Sequence, residues 1–235
     1  MVTILRNPDK DKIKVLYFPK YKLIRKITFN KKYYKYLNNE INGLKWYSKI
    51  QKEKINNLIK FDENSNFFFL DIKIFNGKKN VFYRSIIENE KLIENAMEHY
   101  KKVWPSKKSV YCHGDLTVDN IISNGKKIKF VDWELSGLSN EPWGYDLVYL
   151  IISSIFFPYD INKNLNDNEK KVFKRLWSKL NSYKISKKLL KNPIKNFVKI
   201  YKKKKWKKAI LDHPNKIYPV FVDKEFYKLI NNLTK

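Results

Sequence analysis

An α+β fold is predicted for this chain, with a small N-terminal sheet that carries one helix and a larger, mainly helical C-terminal part. Two observations support this: strand-like runs separated by turn residues fill residues 2–29, whereas apolar residues recur at helical spacing in residues 146–201. The 235 residues are 43% hydrophobic and include sixteen tyrosines, fifteen phenylalanines and six tryptophans. This is enough apolar area for a folded core, so we expect order nearly throughout.

The N-terminal third is predicted to contain strands and one helix. Its strand-like runs lie at residues 2–5, 13–18 and 23–27. The turn residues Asn7-Pro8-Asp9 and Pro19 separate these runs. A helix is predicted where apolar residues recur at helical spacing, at Leu37, Ile41 and Leu44. Residues 67–87 are then predicted to form two strands around an Asn76-Gly77 turn, a strong hairpin signal.

The pattern changes at residue 88, which divides the chain into an N-terminal lobe of residues 1–87 and a C-terminal lobe of residues 88–235. A helix at residues 92–103 and a strand at 109–112 open the second lobe. A hairpin follows, with strands at 121–122 and 127–131 around Asn124-Gly125. Further helices are predicted at residues 146–156, 172–183 and 185–201, the last interrupted by Pro193.

The chain carries a formal net charge of +27, which is typical of proteins that contact nucleic acid or anionic membranes. Nearly all of this charge is lysine, because the arginines are only Arg6, Arg25, Arg84 and Arg175. Lysine lacks the bidentate fork of arginine, so we expect no specific nucleic-acid readout. Lys, Asn and Ile share A/T-rich codons, so biased codon usage is an equally good explanation of the charge.

Cys112 is the only cysteine, which excludes an intramolecular disulfide and a zinc site built from several thiolates of this chain. Residues 1–14 lack the apolar core of a signal peptide. The longest apolar run, residues 147–157, is too short to span a bilayer. These features predict a cytoplasmic protein without a transmembrane segment.

The chemistry is concentrated in His113-Gly114-Asp115 and in two residues that follow it, Asn120 and Asp132. In the protein-kinase catalytic loop, an Asp receives the proton of the substrate hydroxyl and an Asn five residues later binds magnesium. Asp115 and Asn120 have that spacing, and Asp132 ends the second strand of the following hairpin, where a further acidic metal ligand is expected. The alternative is that His113, Asp115 and Asn120 only cap a turn.

These residues resemble the aminoglycoside phosphotransferase and choline kinase superfamily, whose hallmark is a His-Gly-Asp loop with a following Asn and an Ile/Val-Asp-Trp-Glu element. The resemblance is specific over residues 111–146. It implies a protein-kinase-like bilobal fold, with a nucleotide-binding N-terminal lobe, a catalytic and acceptor-binding C-terminal lobe, ATP and Mg²⁺. By this resemblance Asp115 is the catalytic base, His113 orients the loop, and Asn120 and Asp132 bind the metal. The run from Gly144 to Leu147 has a structural role.

The same family pairs a cation on a strand with a glutamate on a helix, so that the cation contacts nucleotide phosphates. Arg25 or Lys26 is the candidate cation and Glu40 the candidate carboxylate, although Glu40 lies off the apolar helical stripe. Strand alternation favours Arg25, since Leu23 and Ile27 would share its inward face. The alternative is a solvated ion pair on an amphipathic hairpin.

No glycine precedes Gly43, so a Gly-rich phosphate loop is absent, and Gly43 itself disfavours the predicted helix that contains it. The Asn7-Pro8-Asp9 turn offers backbone N–H groups in place of that loop. The short N-terminal lobe leaves open a degenerate kinase that has kept its catalytic loop.

The expected activity is ATP-dependent phosphorylation of a hydroxyl on a small molecule such as a sugar, an amino alcohol or a choline-like headgroup. Aromatic residues near the loop either bind that acceptor or belong to the core: Tyr111, Trp133, Trp143 and Tyr145. The alternative function is a catalytically weak, kinase-like scaffold that binds anionic lipid or nucleic acid through its lysines. Residues 202–208 are the densest basic run, and we expect at most weak contact with anionic surfaces there.

Overall fold

The computed structural model describes residues 3–6, 12–54, 59–64, 66–79, 85–162, 164–203, 205, 207–208 and 223–234. The Asn7-Pro8-Asp9 turn, which was expected to offer backbone N–H groups, lies outside these residues, as do parts of the basic run at 202–208.

The N-terminal part is a five-stranded antiparallel sheet in the order β1-β2-β3-β5-β4. Its strands are β1 (Thr3–Arg6), β2 (Lys14–Phe18), β3 (Leu23–Thr28), β4 (Ile59–Glu63) and β5 (Phe68–Lys73). The three strands predicted before residue 30 are therefore confirmed. Pro19 opens a single 3₁₀ turn between β2 and β3, because its fixed φ suits a turn and it has no N–H to give to the sheet.

The predicted helix is α1 (Tyr34–Ile50), which packs against β5 through Leu37, Ile41 and the strand residues Phe68 and Leu70. Gly43 is part of this packing rather than a weakness in it. A Cβ added at Gly43 would lie 2.6 Å from Trp133 Cβ and 2.5 Å from Ser136 Oγ. The helix can approach the 133–136 segment this closely only because residue 43 has no side chain.

The hairpin predicted around Asn76-Gly77 is wrong. Strand β5 already has partners on both edges, β3 on one side and β4 on the other, so the chain after the turn cannot pair back onto it. Instead β6 (Lys78–Lys79) pairs with β8 in a separate sheet. Gly77 allows this pairing, since an added Cβ would lie 2.7 Å from the Ile122 side chain and 2.8 Å from the Ser123 carbonyl oxygen.

The C-terminal part combines short strands with helices, as predicted. Its strands are β7 (Val110–Tyr111), β8 (Ile121–Ser123), β9 (Ile128–Phe130) and β10 (Asn140–Glu141). Strands β8 and β9 form the predicted Asn124-Gly125 hairpin, and β7 pairs with β10. The helices are α2 (Ile86–Val103), α3 (Tyr145–Asn162), α4 (Asp167–Asn181), α5 (Lys187–Lys191), α6 (Pro193–Tyr201) and α7 (Lys224–Leu233).

Proline and capping residues explain where these helices begin. Pro193 stands at the start of α6 and separates it from α5, as predicted. Asn166 and Glu169 form a reciprocal capping box at the start of α4. Helices α2, α3, α4 and α6 share one apolar core with the strands beneath the catalytic segment. Within the described ranges, no helix is long and apolar enough to cross a lipid bilayer.

Candidate active site

The segment from His113 to Asn120 forms a closed loop between β7 and β8. It ends in a 3₁₀ turn at Val118–Asn120. The side-chain amide of Asn120 donates from Nδ2 to the backbone carbonyl of Asp115 across 2.8 Å. Because Asn120 follows Asp115 by five residues, this bond closes the loop. It occupies the amide nitrogen of Asn120, so the amide oxygen is the atom suited to bind a metal.

His113 holds the loop to the neighbouring strand. Its buried ring donates from Nε2 to the Val131 carbonyl oxygen at 2.9 Å, because a carbonyl can only accept. The other nitrogen, Nδ1, then accepts the backbone N–H of Asp115 at 3.4 Å. Burial lowers the pKa of His113 to about 4, against the smaller opposing effect of the Val131 hydrogen bond. A neutral imidazole in two backbone hydrogen bonds is suited to orienting the loop rather than to transferring protons.

Asp146, in the first turn of α3, holds the start of the loop through two hydrogen bonds. Its carboxylate accepts the backbone N–H groups of His113 at 3.0 Å and Gly114 at 3.1 Å. The residue is fully buried, and burial raises the pKa of its carboxyl to about 7 despite both hydrogen bonds. This contact is consistent with the structural role expected for residues 144–147.

Asp115, the expected base, is half-buried at the surface of this arrangement. The hydroxyl of Tyr149 on α3 donates to Asp115 Oδ1 at 3.2 Å. Tyr149 was missed in the sequence because it lies 34 residues from Asp115 and belongs to no motif. A signal was nevertheless present: Tyr149 follows Asp146 by three residues, so both project from the same face of a helix.

Asp132 follows β9, next to Asn120. The backbone N–H of Val131 donates to the Asn120 carbonyl at 3.0 Å, which holds the two segments side by side. Asp132 has a φ of 66°, a left-handed conformation that is costly for a residue with a side chain, and its side chain is 42% exposed. The carboxylate of Asp132 and the amide oxygen of Asn120 are hard oxygen ligands of the kind that Mg²⁺ prefers.

Lys26 from β3 lies at the centre of a buried charge cluster. Its Nζ contacts Glu40 Oε2 at 2.5 Å, Asp132 Oδ1 at 2.7 Å and Glu134 Oε1 at 2.8 Å. Oxygens of these three carboxylates all lie within 4.8 Å of one another. Glu134 ends the run Val131-Asp132-Trp133-Glu134, which matches the family element, but the sequence did not predict a role for it, because nothing in the pattern showed that its side chain would face Lys26.

Charge in this cluster is unbalanced, with three carboxylates around one ammonium. Burial lowers the pKa of Lys26, but attraction to Asp132, Glu134 and Glu40 outweighs burial and raises that pKa well above its usual value. Burial also raises the pKa of Glu40 to about 8, helped by Asp132 and Glu134 and opposed by Lys26. The rise for Lys26, and a smaller part of the rise for Glu40, reflect excess negative charge. A divalent cation held by Asp132 would offset that excess, so the residues fit the expected metal.

The preference for Arg25 as the phosphate-contacting cation is corrected by its orientation. Arg25 does share a face with Leu23 and Ile27, but that face of the sheet is the outer, half-exposed one, whereas Lys26 and Thr28 point inward and are buried. The guanidinium of Arg25 pairs with Asp71, with Nε–Oδ1 at 2.6 Å and Nη2–Oδ2 at 2.7 Å. Strand alternation therefore placed Arg25 correctly on the same face as Leu23 and Ile27. The error was to expect that face, rather than the face of Lys26, to point to the interior.

Glu40 was expected off the apolar stripe of α1, yet it is only 1% exposed. Two hydrogen bonds next to it tie α1 to the segment that carries Asp132 and Glu134. The Asn39 amide donates to the Glu134 carbonyl at 3.1 Å, and the Ser136 hydroxyl donates to the Asn39 carbonyl at 3.0 Å. Together with the close contact at Gly43, they bring Glu40 to Lys26.

The aromatic residues near the loop belong mainly to the core. Trp133 is fully buried, with its ring centroid 4.9 Å from that of Tyr47 and 4.4 Å from that of His113. Trp143 and Tyr145 are also buried. The core interpretation therefore applies to these three, and they support the loop from beneath.

Comparison with known proteins agrees with this geometry. Residues 79–178 match the model of a family described as the phosphotransferase enzyme family, and the match includes Asp115, Asn120 and Asp132. The resemblance stated from the sequence motifs is therefore confirmed. No curated protein sequence matches significantly.

Solved structures show the fold. The amicoumacin kinase hAmiN, solved with AMP-PNP and Ca²⁺, is similar with a TM-score of 0.53 at 11% identity, covering 99% of this chain and 86% of that one. An ethanolamine kinase from Plasmodium vivax gives a TM-score of 0.44 at 13% identity, covering 100% of this chain and 81% of that one. The similarity to hAmiN confirms the predicted α+β, protein-kinase-like fold.

Proposed function

We propose that this protein is a small-molecule kinase that transfers a phosphoryl group from ATP to a hydroxyl of its acceptor. One observation carries the proposal: Asp115, Asn120, Asp132, Lys26 and Glu40 come from separate parts of the chain and are brought to one site. Turn capping alone requires none of these long-range contacts. The division into a nucleotide-binding lobe at residues 1–87 and a catalytic lobe at 88–235 is part of this proposal.

In the proposed reaction, Asp115 accepts the proton of the acceptor hydroxyl as that oxygen bonds to the terminal phosphorus of ATP, and the bond from this phosphorus to the bridging oxygen breaks to release ADP. The amide oxygen of Asn120 and the carboxylate of Asp132 would hold the metal. When bound, Mg²⁺ and ATP supply charge neutralisation and the transferred group. Lys26, kept in place by Glu40, faces the same space and is suited to contact nucleotide phosphates. His113 keeps Asp115 and its loop in register.

We propose that the acceptor carries at most one amine or ammonium group and is otherwise neutral or anionic. Sugars, amino alcohols and choline-like headgroups meet this description. The chain has no Asp or Glu between residues 170 and 211, which include α5, α6 and most of α4. Attraction of a polycationic aminoglycoside requires acidic side chains, and this stretch offers none. The buried, free Cys112 supports the proposal that the protein works in the reducing cytoplasm.

The scaffold alternative draws support from the lysines of α5 and α6. Lys187, Lys188, Lys191, Lys195 and Lys199 are all exposed. A scaffold, however, has no need for the assembled base, metal ligands and buried Lys26–Glu40 pair. The geometry therefore favours the enzyme, and ATP turnover separates the two functions.

The test is ADP release from Mg-ATP in the presence of amino alcohols, sugars and nucleosides, assayed one at a time. We expect at least one acceptor to stimulate release, and Asp115→Asn to lower the stimulated rate by about 10²–10⁴ while Mg-ATP still binds. Binding should survive because the base acts on the acceptor. Stimulated release that persists at the wild-type rate in Asp115→Asn, or no release with any acceptor, would refute the proposal.

A further inference from the structure

We propose that Tyr149 is a positioning residue for the catalytic base, its hydroxyl holding the Asp115 carboxylate in the orientation that receives the acceptor's proton. This inference rests on the proposed kinase function. It goes beyond the motif residues, since neither Tyr149 nor helix α3 beyond residue 147 belongs to the sequence pattern.

The contact is directional. Tyr149 donates to Asp115 Oδ1 at 3.2 Å, and an ionised carboxylate can only accept. Burial and the nearby charge of Asp115 keep the phenol protonated, since they raise the pKa of Tyr149 well above its ordinary value. The tyrosine is therefore a permanent donor, and the bond fixes the rotation of the carboxylate about its last side-chain torsion.

The donor is itself held rigidly. Tyr149 is 3% exposed, and its ring packs edge-on against Phe197 of α6 with centroids 5.6 Å apart. Tyr201, also on α6, is buried next to Tyr149 and contributes to the rise in the pKa of Tyr149. Titratable groups next to Asp115 include Tyr149, Tyr201 and His113, whose ring Nδ1 accepts the backbone N–H of Asp115.

Helix α3 reaches the catalytic loop at two points. Asp146 holds the backbone N–H groups of His113 and Gly114, and Tyr149, three residues later, holds the side chain of Asp115. One rigid helix therefore fixes both the backbone and the reactive group. A carboxylate that is already held in its reactive orientation does not have to be oriented during the reaction. This is the usual reason why a positioning residue raises the rate.

The test compares Tyr149→Phe with Tyr183→Phe. Both remove a tyrosine hydroxyl that donates to a carboxylate, but Tyr183 bonds Glu98, between α2 and the end of α4, away from the catalytic loop. With the best acceptor from the ADP-release panel, we expect Tyr149→Phe to lower kcat about tenfold with KM for ATP unchanged, and Tyr183→Phe to leave both constants unchanged.

A second measurement does not need activity. The hydrogen-bonded hydroxyl proton of Tyr149 should give a slowly exchanging ¹H NMR resonance that is absent in Tyr149→Phe, displaced in Asp115→Asn and unmoved in Tyr183→Phe. An unchanged kcat in Tyr149→Phe, or a hydroxyl resonance insensitive to Asp115→Asn, would overturn the inference. If the wild type released no ADP with any acceptor, the proposed function would fail, whereas the resonance would still decide whether Tyr149 holds Asp115.

Discussion

Replacing Gly43 with alanine sets helix propensity against packing. Alanine is favoured over glycine inside a helix by about 1 kcal/mol. The new Cβ, however, would lie 2.5 Å from Ser136 Oγ, 2.6 Å from Trp133 Cβ and 2.9 Å from Trp133 Cε3. Ser136 can rotate only by giving up its bond to Asn39, and Trp133 is fully buried. Overpacking of this kind costs about 1–3 kcal/mol, so we expect the clash to win.

Because the clash involves the Cβ of buried Trp133, we expect the packing cost to be in the upper part of its range, about 2–3 kcal/mol, so that Gly43→Ala lowers the free energy of unfolding by about 1–2 kcal/mol in urea titrations. Mg-ATP affinity, measured by calorimetry, should fall as well, because displacement of Trp133 moves the adjoining Asp132. Asn42→Ala is the matched control: residue 42 is exposed on the same helix, so its replacement should leave both quantities nearly unchanged. The reasoning is refuted if Gly43→Ala is as stable as wild type or more stable.

Two further predictions concern the charges of the site. Asp132→Ala should abolish magnesium-dependent nucleotide binding in calorimetry, because Asp132 carries the charge that attracts the ion. Asn120→Ala should weaken this binding less. Unchanged Mg-ATP binding in Asp132→Ala would place the metal elsewhere. Lys26→Met should destabilise the protein by about 3–5 kcal/mol near pH 8, because three carboxylates lose their ammonium. The pKa of a buried carboxyl such as Glu40 is already raised to about 8, so in the folded state it binds protons that the unfolded state has released above about pH 4.3. The free energy of unfolding therefore falls as pH rises from about 4.3 to about 8. In urea titrations, Lys26→Met should lose less of this free energy, relative to wild type, at pH 5 than at pH 8. Equal losses at the two pH values would contradict this.

Local signals predicted the elements that depend on local chemistry. The Asn124-Gly125 hairpin formed as expected because β8 and β9 are sequence neighbours, although β8 also pairs with β6 on its other edge. Asn76-Gly77 is the same dipeptide, yet it failed because the edges of β5 were taken by β3 and by β4. Strand pairing over long sequence distances is decided by competition for edges, which a turn signal does not report.

The candidate site also contains residues that local sequence patterns predict and residues that only long-range contacts reveal. Asp115, Asn120 and Asp132 were found because their spacing along the chain reflects a closed loop and a hairpin. Lys26 was left open beside Arg25, because alternation separates two faces but does not say which one α1 will cover. Glu134 and Tyr149 escaped notice, since their partners lie 108 and 34 residues away and only the folded chain brings them together.

The contacts of α1 with residues 133–136 join the helix that carries Glu40 to the segment that carries Asp132. Gly43 lies against Trp133, and Asn39 exchanges hydrogen bonds with the backbone of Glu134 and the side chain of Ser136. Helix α1 and the segment that carries Asp132 are therefore held as one unit, and Glu40 cannot move away from Asp132 without breaking these contacts. The distance between Glu40 and Asp132 is therefore set by the chain itself, without any bound ligand.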